Sequence, residues 1–366
     1  MHSISAALVI LEVRIDGVNR LQKKQYDMVW LNINRSCNNR CNFCYARDSI
    51  LSRDEMDYSE VYRLLPILRE LNIKKIILIG GEPTLYPHIL EIVNAITEYG
   101  MNCTVQSNGL RFADYDFLKD MITAGMMECG ISIKGFSKEE YEQTTETYNF
   151  PLMIKAIENF YRLNYEPMFS YVLPEPSIRI AEQLVVGVKK LGLKNIYISP
   201  VHPTCCEQEN YFPPNYMKWV DVYRYIISRL SKCDVKFSFG ISFPLCAFPE
   251  EEIVSYMHQG IVRKNCCQAV LENGLVFDTD FRLLPCNMFV KKPFIKDQKK
   301  IESVYDIFEI MDASIVRDYH EHMNTPLTEK CQECYRWSQC HAGCRARWEY
   351  KRPEDEITGF RFGKGV

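Results

Sequence analysis

Three cysteines stand together in Cys37-Asn-Asn-Arg-Cys41-Asn-Phe-Cys44. Three thiolates on one short loop can hold three irons of a 4Fe–4S cube and leave the fourth iron open to a substrate or cofactor. A zinc site is the competing chemistry, but zinc takes four ligands and no fourth Cys or His lies close in sequence. Gly80-Gly81-Glu82-Pro83-Thr84 is a second cluster of interest. Its glycines let a ligand approach the backbone, and Glu82 can accept from an ammonium; alone, the stretch reads equally well as a βα turn. A denser run, Cys331-x2-Cys334-x5-Cys340-x3-Cys344, lies near the C-terminus, with Cys286 and the adjacent pairs Cys205–Cys206 and Cys266–Cys267 upstream. A structural zinc knuckle is the alternative there.

The elements that must position these residues alternate from about residue 28 to 200. Nearly continuous apolar runs mark strands at Val29–Ile33, Lys75–Ile79, Cys103–Gln106, Gly130–Ile133, Met168–Val172 and Asn195–Ser199, a pattern expected of strands covered by helices. Between them Pro87 and Gly100 bracket one helix, Asp114 caps another that Gly125 ends, and Pro151 opens a third. A further helix runs from about Ile178 to Gly192. Six β-α units in series predict a parallel sheet, too few for a closed eight-fold barrel and so an open (β/α)6 partial barrel. Ligands of such sheets gather at the carboxyl ends of the strands. The cysteine loop follows the first strand and Gly80–Thr84 the second, so both belong on one rim.

After Pro200 the rhythm breaks. A loop-like stretch precedes a helix carrying Trp219, Val220, Tyr223 and Ile226. From about Cys266 to Trp348 the periodicity is weak, which predicts a piece with little core of its own, held together by metal. The expected organisation is an extension over 1–27, a core domain over 28–240, a small cysteine-rich domain over 241–350 and a tail over 351–366.

Composition narrows the class. The 366 residues are 47% hydrophobic and 25% charged, with 44 Lys plus Arg against 47 Asp plus Glu and a net charge of -3. That is an ordinary globular mixture, with no basic excess for nucleic acid or a membrane surface. No apolar run approaches the roughly 18 residues of a membrane span, and the N-terminus lacks the basic and apolar regions of a signal peptide. A cytoplasmic protein is expected. Its 16 cysteines therefore read as metal ligands rather than disulfides.

Cys37-x3-Cys41-x2-Cys44, with Phe43 before the last cysteine and Gly-Gly-Glu-Pro after the second strand, resembles the radical S-adenosylmethionine (SAM) superfamily over roughly residues 28–200. The resemblance implies that the open iron is chelated by the amino and carboxylate groups of SAM. It implies that Gly80, Gly81, Glu82 and Pro83 hold the amino group and that the Phe43 backbone contacts adenine. Ser107-Asn108-Gly109 resembles the polar turn after the family's third strand, and Ser132 and Lys134 fall where fourth-strand residues reach ribose or carboxylate. Ser132 reads equally as a small residue satisfied by backbone.

The C-terminal cysteines resemble the SPASM auxiliary-cluster domain. By that resemblance Cys286, Cys344 and one of Cys266/Cys267 hold a first auxiliary cluster, and Cys331, Cys334 and Cys340 a second. Two departures stand out: Phe281 occupies the place of a glycine, and no cysteine occurs in the 22 residues after Cys344. The fourth ligand of the second cluster is then Cys205, Cys206, Cys246, or an oxygen or nitrogen donor. His341, Tyr335, Trp337 and Trp348 are read as walls around the metal site, and His88 and His202 as lone histidines without a ligand role.

The family resemblance implies an oxidoreductase that splits SAM into methionine and a 5′-deoxyadenosyl radical, with an electron from a flavodoxin- or ferredoxin-type donor. The expected substrate is a peptide or protein side chain, oxidised to a cross-link or thioether. A small molecule such as an aminocyclitol or sugar nucleotide is the alternative, and a non-catalytic Fe–S carrier is the reading from another class. With 36 residues ahead of Cys37, a fused leader-binding domain is not expected, so a separate protein would recognise any leader peptide. Asn287 follows Cys286 where sulfatase-maturing relatives carry a catalytic Asp, which argues against that activity.

Overall fold

The computed structural model describes residues 25–202, 216–240, 242–263 and 267–348. Cys205, Cys206, Cys266 and the expected tail 351–366 lie outside the described residues. The strands fall where the apolar runs put them: β1 (Met28–Asn34), β2 (Lys75–Gly80), β3 (Asn102–Ser107), β4 (Met126–Ile133), β5 (Met168–Leu173) and β6 (Asn195–Pro200). Each pairs in parallel with the next. Their central residues, such as Leu31, Ile76, Leu78, Val105, Ile131 and Ile198, have no exposed surface. Helices bury one face of the sheet as the spacing predicts. Asp114 caps helix Tyr115–Thr123 by accepting from the N–H groups of Asp116 and Phe117 at 3.0 and 3.2 Å, which satisfies donors that have no partner within the helix. Helix Tyr58–Glu70, capped in the same way by Asp57, carries Pro66 in its interior, which interrupts its helical pattern in the sequence.

Two further strands extend the sheet. β7 (Lys236–Phe239) pairs with β6, and β8 (Gly274–Phe277) pairs with β1, both in parallel. The order is β7-β6-β5-β4-β3-β2-β1-β8: an open partial barrel with one strand added at each edge. β8 comes from the segment expected to form a separate cysteine-rich domain. Its Leu275, Val276 and Phe277 are buried, so this stretch completes the sheet rather than standing apart from it.

The expectation that residues 266–348 build little core is corrected for the same reason. Helices Val304–Met311 and Ser314–Asn324 place Val304, Ile307, Ile310 and Val316 in the main hydrophobic cluster. The segment borrows the core of the barrel, so its own apolar pattern can stay sparse. Two polar ties fix it there. Arg63 Nη1 donates to the Ile301 carbonyl at 2.7 Å, and the wholly buried guanidinium of Arg35, just after β1, pairs with Asp278, just after β8. No helix among the described residues is long and apolar enough to cross a membrane.

Candidate active site

The cysteine loop starts where β1 ends, and it is the neighbouring β2 terminus that shapes its entry. The Gly81 N–H donates to Asn34 O at 2.9 Å, the Glu82 N–H to Ser36 O at 2.8 Å, and Asn34 Nδ2 to Glu82 O at 2.9 Å. A Cβ at Gly80 would lie 2.2 Å from Asn34 O, and one at Gly81 2.4 Å from both Arg35 O and Ser36 O. The sequence reading gave these glycines the task of admitting a ligand. Their first task is to let the chain entering the cysteine loop lie across the end of β2.

The loop is then pinned from the far side by helix Lys138–Thr145. Arg40 N donates to Thr145 O at 2.9 Å and Asn42 N to Thr144 O at 3.0 Å. Buried Asn39 donates to the Tyr141 hydroxyl at 3.2 Å and accepts from Thr147 Oγ1 at 3.0 Å. These partners lie about a hundred residues away in sequence, so no local signal could have identified them.

Cys37, Cys41 and Cys44 open onto one cavity of about 280 Å³ at the carboxyl ends of the strands. Gly80, Gly81, Glu82, Ser107, Asn108, Ser132 and Lys134 line the same space, so the motifs read separately in the sequence converge. Phe43 is there too, with Lys134 Nζ 5.2 Å from its ring centroid and 2.6 Å from Ser132 Oγ. Pro83 is buried in the turn behind. Asn108 Nδ2 bridges to Asn38 Oδ1 at 2.7 Å and approaches Cys37 Sγ at 3.9 Å.

Glu82 is 1% exposed, and its carboxylate is engaged by the chain itself. Oε1 accepts from Thr84 N, Thr84 Oγ1 and Ser107 Oγ, and Oε2 from Asn108 N alone. Burial raises its pKa, and these hydrogen bonds pull the other way. Glu82 thus ties the ends of β2 and β3 together, with one oxygen still able to accept a further donor.

Burial pushes the Cys37 thiol up to about 12, and the neighbouring Glu82, Cys41 and Cys44 add to the rise. Burial also raises Cys44, opposed by nearby Lys134 and Arg47. Thiols held this way are protonated without metal, so binding a metal would release protons. The donor set fits a cluster: three thiols border one cavity, next to a rim of hydroxyl, amide and ammonium groups. Among the described residues no three His, Cys, Asp or Glu side chains are grouped as a single ion requires. In a cubane each thiolate binds its own iron.

Sequence reasoning passed over the opposite wall. His202, set aside as a lone histidine, lines the cavity beyond β6, along with Ser170, Val172 and Met288. Its Nδ1 lies 3.0 Å from Ser242 Oγ, and burial lowers its pKa to about 4, so the imidazole is neutral at pH 7. His88, by contrast, is half-exposed beside Glu91.

The other candidate ligands named above flank β8 in the sequence. Cys267 precedes the short helix Gln268–Leu271. Cys286, like Cys44 and Cys37, bears electrostatically on the half-buried Tyr45. Asn287 accepts from Asn32 Nδ2 at 3.1 Å. Phe281 has φ 65°, the left-handed conformation that the glycine of the resembled pattern would supply. Cys331 and Cys340 lie in short helices at Glu329–Gln332 and Trp337–Cys340, with the Cys334 N–H bonded to Cys331 O at 3.3 Å. Cys344 N donates to Ser242 O at 3.2 Å. Trp348 and Trp337 pack around Ala342, whereas Tyr335 is 73% exposed and walls off nothing.

Residues 31–185 match the family model "Radical SAM superfamily". A probable GTP 3′,8-cyclase of Thermococcus kodakarensis is 31% identical over 129 residues, which are 35% of this chain and 41% of that protein. The chain thus spans less than half of that relative. Among solved structures, Streptococcus suis SuiB bound to S-adenosylmethionine superposes with a TM-score of 0.69 at 15% identity, covering 94% of this chain and 80% of that one. Native anSMEcpe with bound AdoMet gives 0.65 at 16% identity, covering 88% and 90%. These structures share the fold. Residues 31–185, which carry the cysteine loop and the motifs that converge with it on one cavity, are thus similar to the radical SAM superfamily.

Proposed function

We propose that this chain is a radical SAM enzyme that holds a 4Fe–4S cluster on Cys37, Cys41 and Cys44 and SAM in the adjoining cavity. The observation that carries the reading is the opening of all three thiols onto the space lined by Gly80, Gly81, Glu82, Ser107, Asn108, Ser132 and Lys134. An electron carrier has no need of such a cradle. When bound, the cluster and SAM supply a 5′-deoxyadenosyl radical able to take an unactivated hydrogen from substrate. The protein's part is to bind and orient. The free lone pair of Glu82 Oε2 and the Gly80–Pro83 backbone would hold the amino group, the Phe43 backbone would contact adenine, and Ser132 with Lys134 would reach the ribose or carboxylate. Neutral His202 offers a proton acceptor at the far wall.

The substrate we infer is a peptide or protein side chain, oxidised with the help of auxiliary clusters. Cys286, Cys344 and one of Cys266/Cys267 would hold the first of these. The support is that likeness extends through the cysteine-rich segment to SuiB, whose structure is also known bound to the precursor peptide SuiA. A flavodoxin- or ferredoxin-type donor would supply the electron. The similarity to GTP 3′,8-cyclases favours a second reading, a small-molecule substrate. Reconstituted, reduced chain should form 5′-deoxyadenosine, and Cys41→Ala should abolish this while keeping auxiliary iron. Undiminished cleavage in that variant would remove the assignment. Deuterium transfer from labelled peptides, or from labelled nucleotides, into 5′-deoxyadenosine separates the two substrate classes.

A further inference from the structure

The segment that follows β7 is docked along the last cysteine run at several points. Ser242 O accepts from Cys344 N at 3.2 Å, Leu245 N donates to Cys340 Sγ at 3.3 Å, and Glu250 Oε1 accepts from Arg336 Nη2 at 2.9 Å and from the Tyr335 hydroxyl. The approach is close enough to demand a glycine. A Cβ on Gly343 would lie 2.5 Å from Phe243 N and 2.6 Å from Ser242 O. The chain opposite is strained to meet it: His341, Ala342 and Gly343 have φ of 44°, 56° and 85°, a run of left-handed residues that persists only where surrounding structure imposes it. Between these anchors, in the single turn Leu245–Ala247, stands Cys246.

We propose that Cys246 is the fourth ligand, completing with Cys331, Cys334 and Cys340 a four-thiolate site for the second auxiliary cluster. This rests on the auxiliary-cluster reading, in which those three cysteines share one site, and takes the fourth ligand from the turn docked on them. The turn carrying Cys246 sits on this run: the N–H of adjacent Leu245 donates to Cys340 Sγ at 3.3 Å, and the run itself is folded tightly, with Cys334 N donating to Cys331 O at 3.3 Å and Trp337 N to Cys334 O at 2.9 Å. The ligand comes from before the run rather than after it, off the end of a barrel strand. With four thiolates the cluster has no open iron, so its task is to pass electrons rather than to bind substrate. Cys344, across the strained turn, is left for the other auxiliary site.

The test is iron and sulfide per chain in the anaerobically reconstituted full-length protein after a chelator challenge, read with EPR of the reduced clusters. Cys246→Ala should retain about four fewer irons than wild type, matching Cys334→Ala. Cys246→Ser keeps the size of the side chain and an oxygen donor, and should shift the EPR signal and midpoint potential of one cluster only, while the circular dichroism spectrum stays unchanged. If Cys334→Ala loses iron and Cys246→Ala does not, this inference falls and the auxiliary-cluster reading stands. A matching loss in Cys205→Ala or Cys206→Ala alone would give the ligand to that residue instead. Stoichiometric zinc in wild type, released by Cys334→Ala, would overturn the auxiliary reading itself.

Discussion

Glu82→Gln keeps the shape of the side chain and removes its charge, which makes it a sensitive probe of the site. Both carboxylate oxygens face an obligate backbone donor, Thr84 N at 3.1 Å and Asn108 N at 2.7 Å, and two hydroxyls, Thr84 Oγ1 and Ser107 Oγ, add to Oε1 at 2.6 and 2.7 Å. The ionised form fits that environment. An amide has one acceptor atom. Its best placement keeps oxygen on the Thr84 and Ser107 side and turns NH2 toward the Asn108 N–H, donor against donor. The orphaned donor costs about 1–3 kcal/mol, and the three surviving bonds lose charge assistance of roughly 0.5–1 kcal/mol each. Relief from burying a charge offsets part of this. The net loss should be about 2–4 kcal/mol. Asn108 passes it on, because its Nδ2 holds Asn38 of the cysteine loop at 2.7 Å. We expect a lower urea midpoint for the anaerobically reconstituted chain, faster iron loss to a chelator and weaker SAM binding by calorimetry. Stability within about 0.5 kcal/mol of wild type would refute the hydrogen-bond argument. If SAM affinity alone dropped tenfold, Glu82 would be a ligand to the ammonium and not a tie between strands.

Two other perturbations have clear signs. Gly81→Ala places a Cβ 2.4 Å from the carbonyl oxygens of Arg35 and Ser36, which are backbone and cannot swing away. The cysteine loop must shift, so iron reconstituted at the first site should fall while auxiliary iron is kept; full occupancy would show the crossing to be slack. His202 is held neutral by burial, with its pKa lowered to about 4. The unfolded chain takes up a proton below about 6.5 and the folded chain does not, so this stabilisation is complete above that pH and shrinks as pH falls toward 4. Between pH 7.5 and 5.5 wild type should lose about 1.4 kcal/mol more than His202→Asn, read as the difference in urea midpoints; parallel curves for the two proteins would contradict it.

Local signals in the chain are enough for the first six strands, most of the helices between them and the gathering of Cys37, Cys41 and Cys44 at the strands' carboxyl ends. The reason is local. Apolar runs bounded by Asp114, Pro151 and the terminal glycines carry their own instructions, and the carboxyl-end rule puts Cys37–Cys44 and Gly80–Thr84 on one rim before any contact is known. Short edge strands carry no such signal. β7 and β8 have four residues each and are strands because the sheet offers them an edge and a core. The helices at 304–324 are stable for the same reason, on apolar surface lent by the barrel. The fastening of Asn39 to Tyr141 and Thr147, and the place of His202 in the cavity wall, come from the folded arrangement alone. It likewise set the turn that carries Cys246 against a cysteine run some ninety residues later. Each is a pairing across a long stretch of chain, fixed by where the strand ends fall in space, and a linear pattern of residue types holds no record of that distance.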